Sequence, residues 1–274
     1  MTEAPPLVQR LDHIIFCARD RHAWAEDIER VLALPRGRGR DTDEWGFSNW
    51  EFDVGDGFLG LVSPDGEGTL LNRFLEGRGD RYYAISVQVP SIKEAAASFE
   101  ANGVAYRPAL RDGQPVLLWP KPAGTAGVLF QVIEGVEPTQ GGNANLQGLR
   151  RVIIASADRK AAVAQLQAAF RFGAASDAHD ERIGADVSVL RLPSSPLGNE
   201  IVIAEPAGVG PIAQHLERFG TSIFEWTFAV GDVDAEVARL RTLGLACTSD
   251  GKGTAWLAPD ALGTMRLAFN QRTE

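Results

Sequence analysis

The chain has 274 residues and a formal net charge of -9, with 45% hydrophobic and 23% charged residues. That length suits two ordinary domains, and that composition supports a buried core and excludes a disordered or collagen-like chain. The acidic balance opposes binding to nucleic-acid phosphates, and there is no run of about 18 apolar residues to enter a membrane.

The opening MTEAPPLVQR lacks the basic start and apolar stretch of a secretory signal, so a cytoplasmic protein is expected. The first predicted element is a strand in LDHIIFCARD from Leu11, running directly into a helical stretch. Arg36 to Arg40, RGRGR, reads as a solvated loop, with an anion-binding loop as the alternative. Two strands follow in WGFSNWEFDV and FLGLVSP, separated by a Gly55-Asp56-Gly57 turn. The same pattern starts again at Tyr82 with YYAISVQVPS. Its helix, SIKEAAASFEANG, begins at Ser91 or Ser98 and ends at Asn102-Gly103, and the strands PVLLWP and GVLFQVIE complete it. EGVEPTQGGNANLQG reads as a linker, with the boundary near residue 140. Beyond it the pattern recurs from Leu149 in LRRVIIASAD and from Ile223 in IFEWTFAVGD, whose helix DVDAEVARLRTLG closes at Gly244. Cys17 and Cys247 form no CxxC pair or Cys/His cluster and read as buried thiols.

The four starts lie about 70 residues apart, too far for a solenoid repeat but right for a strand, a helix and three more strands. The expected fold class is therefore α+β, with four βαβββ modules paired into domains at residues 8–137 and 146–272. Each domain is expected to curl a mixed sheet around a cleft. Strand alternation turns Ala84, Ser86 and Gln88 toward that cleft and Tyr83, Ile85, Val87 and Val89 under the helix. Leu129, Gln131 and Ile133 face forward with them, and Glu225 and Thr227 lie opposite Trp226, Phe228 and Val230.

With these pieces in order, the chain resembles the vicinal oxygen chelate superfamily of glyoxalase I, methylmalonyl-CoA epimerase, extradiol dioxygenases and bleomycin-binding proteins. LDHIIF, SIKEAAASFEANGV and GVLFQVIE carry the likeness in the first half. GFSNWEFDVGDGFLGLVSP resembles the "GTxN … YLEL" segment of glyoxalase-like domain proteins, and NLQGLRRVIIASAD the start of their second half. The resemblance implies a cleft where His, Glu and Gln side chains hold a divalent ion that a ligand chelates through two oxygens. At the four matching positions of the first half stand His13, Gly60, Ala84 and Gln131; in the second half stand Arg151, Val202, Glu225 and Leu267. Two ligand side chains are gone from the first set and a fixed positive charge has entered the second. No cofactor is therefore expected; if a divalent metal binds at all, His13 and Gln131 are its ligands.

His13 is the leading candidate for acid, base or ligand hydrogen bonding, against a histidine that merely marks the fold. Glu51 is the nearest carboxylate base, and Asn49, two residues before it, and Gln131 are candidates to bind substrate oxygens. Gly60 and Ala84 leave room for a larger ligand, with Trp50, Tyr82 and Trp119 as aromatic walls or as plain core residues. Arg151 and Glu225 are expected to meet across the second cleft and neutralise each other, unless Arg151 binds a ligand anion. His179 and His215 are expected to face water. No GxSxG, P-loop or HExxH pattern is present. The expected function is a metal-independent or weakly metal-dependent lyase or isomerase acting on a small oxygenated molecule, working as a monomer or homodimer. The alternative is a protein that sequesters such a molecule, and a third reading is a ring-cleaving dioxygenase.

Overall fold

The structure is a computed structural model that describes residues 5–37, 39–42, 46–135, 143, 145–192 and 195–272. The chain folds as four βαβββ modules. The first comprises β1 (Arg10–Cys17), α1 (Arg21–Leu32), β2 (Gly39–Thr42), β3 (Phe47–Val54) and β4 (Gly57–Pro64). A short α2 (Leu70–Leu75) leads to the second: β5 (Arg81–Val89), α3 (Ile92–Ala101), β6 (Tyr106–Arg111), β7 (Gln114–Pro120) and β8 (Leu129–Glu134). The third comprises β9 (Leu146–Ala155), α4 (Arg159–Phe170), β10 (Ser176–Asp180), β11 (Ala185–Arg191) and β12 (Glu200–Pro206). After α5 (Pro211–Phe219) comes the fourth: β13 (Ser222–Val230), α6 (Val233–Thr242), β14 (Cys247–Ser249), β15 (Thr254–Leu257) and β16 (Leu267–Gln271). The strands form two mixed sheets, ordered β2-β3-β4-β1-β5-β8-β7-β6 and β10-β11-β12-β9-β13-β16-β15-β14. In every module the last strand runs parallel to the first, as a strand-helix crossover allows. The linker expected near residue 140 lies outside the described residues.

Local sequence explains the boundaries. Asp20, Ser91, Asp158 and Asp232 each cap a module helix by accepting from backbone N–H groups of its first turn, worth about 1 kcal/mol apiece. Of the two serines considered for α3, Ser91 is the cap. The β3–β4 hairpin turns at Gly55 (φ 59°), where a Cβ would stand 2.1 Å from the Gln147 carbonyl oxygen, so only glycine fits. The run GDGFLG there has the spacing of a dinucleotide fingerprint, but it makes a hairpin with no helix opening behind it, so no phosphate cradle forms.

The chain makes two compact units, each combining one module from each half. One comprises Met1–Asp12, Ala84–Glu137 and Arg151–Phe224; the other His13–Tyr83, Pro138–Arg150 and Glu225–Glu274. In the first, Ile85, Val87, Phe130 and Val132 are fully buried, and Phe170 of α4 packs on Phe99 of α3 at 5.7 Å and on Phe130 at 5.0 Å. In the second, Phe16 packs on Trp24 of α1 at 4.5 Å, and the Trp24 indole N–H donates to Asp80 at 2.8 Å. Arg239 of α6 donates to the Val31 carbonyl at 2.6 Å, covering an acceptor at the end of α1. Among the described residues no helix is long and apolar enough to cross a membrane.

Candidate functional site

The front face of the first module, opposite α1, is laid out by strand register. β4 lies between β1 and β3 and pairs with both, so aligned residues share a face. Three rows result: His13, Phe58 and Asp53; Ile15, Gly60 and Glu51; Cys17, Val62 and Asn49. His13, only 7% exposed, stacks flat on Phe58 with ring centroids 3.9 Å apart and planes 16° apart. That stack fixes the imidazole plane and leaves its nitrogens at the ring edge. Asn49 donates to Glu51 at 3.5 Å, a long bond that still biases the carboxylate. Between the His13 and Glu51 strands runs β4, so their backbones are about 10 Å apart, with Gly60 beside Glu51. Gly60 makes a backbone floor. A methyl there would already press within 3.3 Å of the Ile14 carbonyl oxygen.

His13, Asn49 and Glu51 thus share one face, but Trp50 does not. It points to the α1 side, between the Arg21 and Arg36 guanidinium groups at 4.6 and 4.2 Å, with His22 edge-on at 4.6 Å. It is no wall of the front face, because neighbours in a strand face opposite ways. Arg36 also donates to Glu29 at 3.1 Å, which corrects the reading of RGRGR as a wholly solvated loop; Arg38 lies outside the described residues. Tyr82 is core: it is 4% exposed, packs edge-on against Phe16 and donates its hydroxyl to the Arg266 carbonyl at 2.7 Å. Burial first, and then the Glu225 carboxylate, pushes that hydroxyl well above the usual tyrosine range.

On the second module, Ala84, Ser86 and Gln88 pair in register with Leu129, Gln131 and Ile133, on the one face that alternation predicts. Gln88 is satisfied, accepting from Arg10 at 2.9 Å and donating to Asp12 at 2.6 Å. Ser86 Oγ and Gln131 Oε1 are buried without a hydrogen-bond partner. Leu117 pairs with Ile133 and Leu118 with Val132, which carries half-buried Trp119 alongside Gln131 on the same face.

The third module occupies the equivalent positions differently. Arg151 stands in register with Glu200, as His13 stands with Phe58, and donates to it at 2.6 and 2.8 Å; Arg191 approaches from the other side at 3.5 Å. Glu200 is therefore Arg151's partner, which corrects the expected pairing of Arg151 with Glu225. Sequence reasoning missed Glu200, which sits at the start of a strand behind a Pro- and Gly-containing loop. Past this pair the same face is apolar, with Ile153, Val202 and Ala204 packed against Ile212 and Leu216 of α5. His215 of α5 is not simply solvated: it is half-buried and hydrogen-bonds Ser222 at 2.8 Å, whereas His179 is half-exposed beside Asp186 at 2.9 Å. In the fourth module, β13 pairs Trp226 with Leu267 and Thr227 with Ala268. Leu267 therefore faces away from Glu225, and the position equivalent to Gln131 belongs to Ala268. Glu225 itself is 3% exposed. Of the two thiols expected to be buried, Cys17 is, with its pKa pushed up by burial and by Asp80, while Cys247 is half-buried.

Family models match both halves: residues 11–170 match the glyoxalase-like domain, and residues 150–257 match the glyoxalase/bleomycin resistance protein/dioxygenase superfamily. No curated protein matches the chain. Among solved structures the chain is similar to a mutant of 4-hydroxymandelate synthase from Streptomyces coelicolor, at 15% identity and TM-score 0.78, over 97% of this chain and 93% of that one. It is also similar to a xylose isomerase-like TIM barrel/4-hydroxyphenylpyruvate dioxygenase fusion protein, at 13% identity and TM-score 0.68, over 99% of this chain and 50% of that one. Dioxygen chemistry is carried by metal or organic cofactors. With a dioxygenase fusion among these neighbours, the expectation of a protein without a cofactor does not stand. The described residues do not fit a metal: no three His, Cys, Asp or Glu among them come together as a metal site, and Gly60 and Ala84 supply no ligand atom. On the match across residues 11–170, the chain belongs to the glyoxalase-like domain family of the vicinal oxygen chelate superfamily.

Proposed function

We propose that this chain binds a small oxygenated organic molecule on the front face of its first module and transfers a proton to or from it. The observation that carries this reading is the placement of His13 and Glu51 on one face, on strands either side of β4, with the Gly60 backbone between those strands. A carbonyl compound seated there would lose a proton from the carbon next to its carbonyl to the Glu51 carboxylate. The electrons of that C–H bond form a C=C bond while the carbonyl oxygen takes a proton from His13, giving an enediol or enol. Phe58 holds the imidazole in plane, and Asn49 holds Glu51. Such a step is common to lyases and isomerases. An oxygenase is the second reading, favoured by the superposition along nearly the whole chain of 4-hydroxymandelate synthase and by the dioxygenase fusion.

Incubating the protein in D2O with a panel of 2-oxo and 2-hydroxy acids tests the proposal. Wild-type protein should exchange the proton next to the carbonyl in at least one, and His13→Ala and Glu51→Gln should each slow exchange about 100-fold or more while binding is largely kept. Unchanged exchange in His13→Ala would remove His13 from the chemistry. Dioxygen uptake with added ferrous iron and no exchange would favour the oxygenase, and binding without either would favour sequestration.

A further inference from the structure

The second module carries two polar atoms that the proton-transfer reading does not use. Ser86 is fully buried and its hydroxyl has no partner; on the neighbouring strand its register partner, Gln131, buries an amide oxygen that also has none. Native proteins rarely leave such atoms unsatisfied. Two residues along the same face, Gln88 shows what this sheet does when partners are at hand: its side chain bonds both Arg10 and Asp12. Adjacent orphans on one face call for a partner that the surrounding side chains do not supply.

The chemistry of the pair limits that group. Gln131 Oε1 can only accept, whereas Ser86 Oγ can donate its proton. A carboxylate has no proton for Gln131, and an ammonium can donate to both oxygens but leaves the Ser86 proton without an acceptor. Two neutral oxygens are too few for a divalent cation. A hydroxyl answers both, donating to Gln131 and accepting from Ser86. Ala84, one row along on this face, adds only a methyl, and Trp119 lies beside Gln131 with an aromatic surface. We infer that Ser86, Gln131 and Trp119 form a subsite for an organic hydroxyl, and that the hydroxyl is phenolic.

Calorimetric titration of the full chain with 4-methylphenol, 4-methylcyclohexanol and toluene tests this. 4-Methylphenol should bind most tightly. Ser86→Ala and Gln131→Met should each weaken it about tenfold, the loss of one hydrogen bond, with toluene unaffected. Trp119→Leu should erase the preference for the phenol over the cyclohexanol. Ser86→Cys, which keeps the volume and weakens the donor, gives the same answer should Gln131→Met fail to fold. Equal affinities for phenol and toluene, unchanged binding in Ser86→Ala, or no binding of any of the three would overturn the subsite and leave a buried water as the occupant. The titration reads binding alone, so its failure leaves His13 and Glu51 untouched, and a failure of proton transfer leaves the subsite standing.

Discussion

Replacing Ser86 with alanine should stabilise the ligand-free protein. Folding strips water from the Ser86 hydroxyl, which is fully buried, and gives it no bond in return. That desolvation costs about 1–3 kcal/mol for a neutral polar group. Alanine keeps the Cβ and removes only the oxygen, leaving a gap of roughly 15 Å³ that costs about 0.4 kcal/mol at the usual cavity rate. The balance is a gain of roughly 0.6–2.6 kcal/mol. For a chain of this size each 1 kcal/mol moves the midpoint by about 2–4 °C, so Tm should rise by roughly 1–10 °C. Differential scanning calorimetry without ligand reads this directly. A fall in Tm would refute the reasoning, because it would mean the folded protein already satisfies the hydroxyl. A binding subsite held at the expense of stability is the trade expected of a functional position.

Two further perturbations follow from the structure. Arg151→Leu strips Glu200, whose side chain is 5% exposed, of its closest partner and leaves Arg191 at 3.5 Å; urea denaturation should show a loss of about 1–3 kcal/mol, largely recovered in Arg151→Leu/Glu200→Leu, since apolar replacement removes the stranded charge. The chain's 3 tyrosines should ionise late, because Tyr82 and Tyr83, the latter at about 12, are pushed up by burial and Tyr106 by its bond to Glu100. The unfolded chain loses these protons first, near pH 10, so their contribution to stability is whole below pH 10 and is lost as pH rises toward the folded values; near pH 10.5 absorbance at 295 nm should rise less in native protein than in denaturant.

Much of the architecture was legible because it repeats. The alternation in YYAISVQV and GVLFQVIE put Ser86 and Gln131 on one face, to which the structure adds their register, and the Asp and Ser caps marked the helix starts. The failures trace to single-residue parity and to partners distant in sequence. Asn49 and Trp50 are neighbours, so they could not both line one face, and Arg21 and Arg36 claim the tryptophan. Leu267 was one residue out of register, since only the pairing of Trp226 with Leu267 reveals which side it takes. Glu200 and the stack of Phe58 on His13 depend on strand pairing that composition does not encode. α5 did leave a signal: GPIAQHLERFG places Pro at the first helical position and Gly just past the end.

Whether His13 and Glu51 act together on one molecule is best measured by deuterium exchange in His13→Ala, Glu51→Gln and the double variant, on whichever acid the wild type exchanges. Partners in a single proton-transfer step are strongly non-additive, so the double variant should be no more than about threefold slower than the slower single one. Losses that multiply would contradict the account, showing that the two side chains sharing that face do not share a reaction.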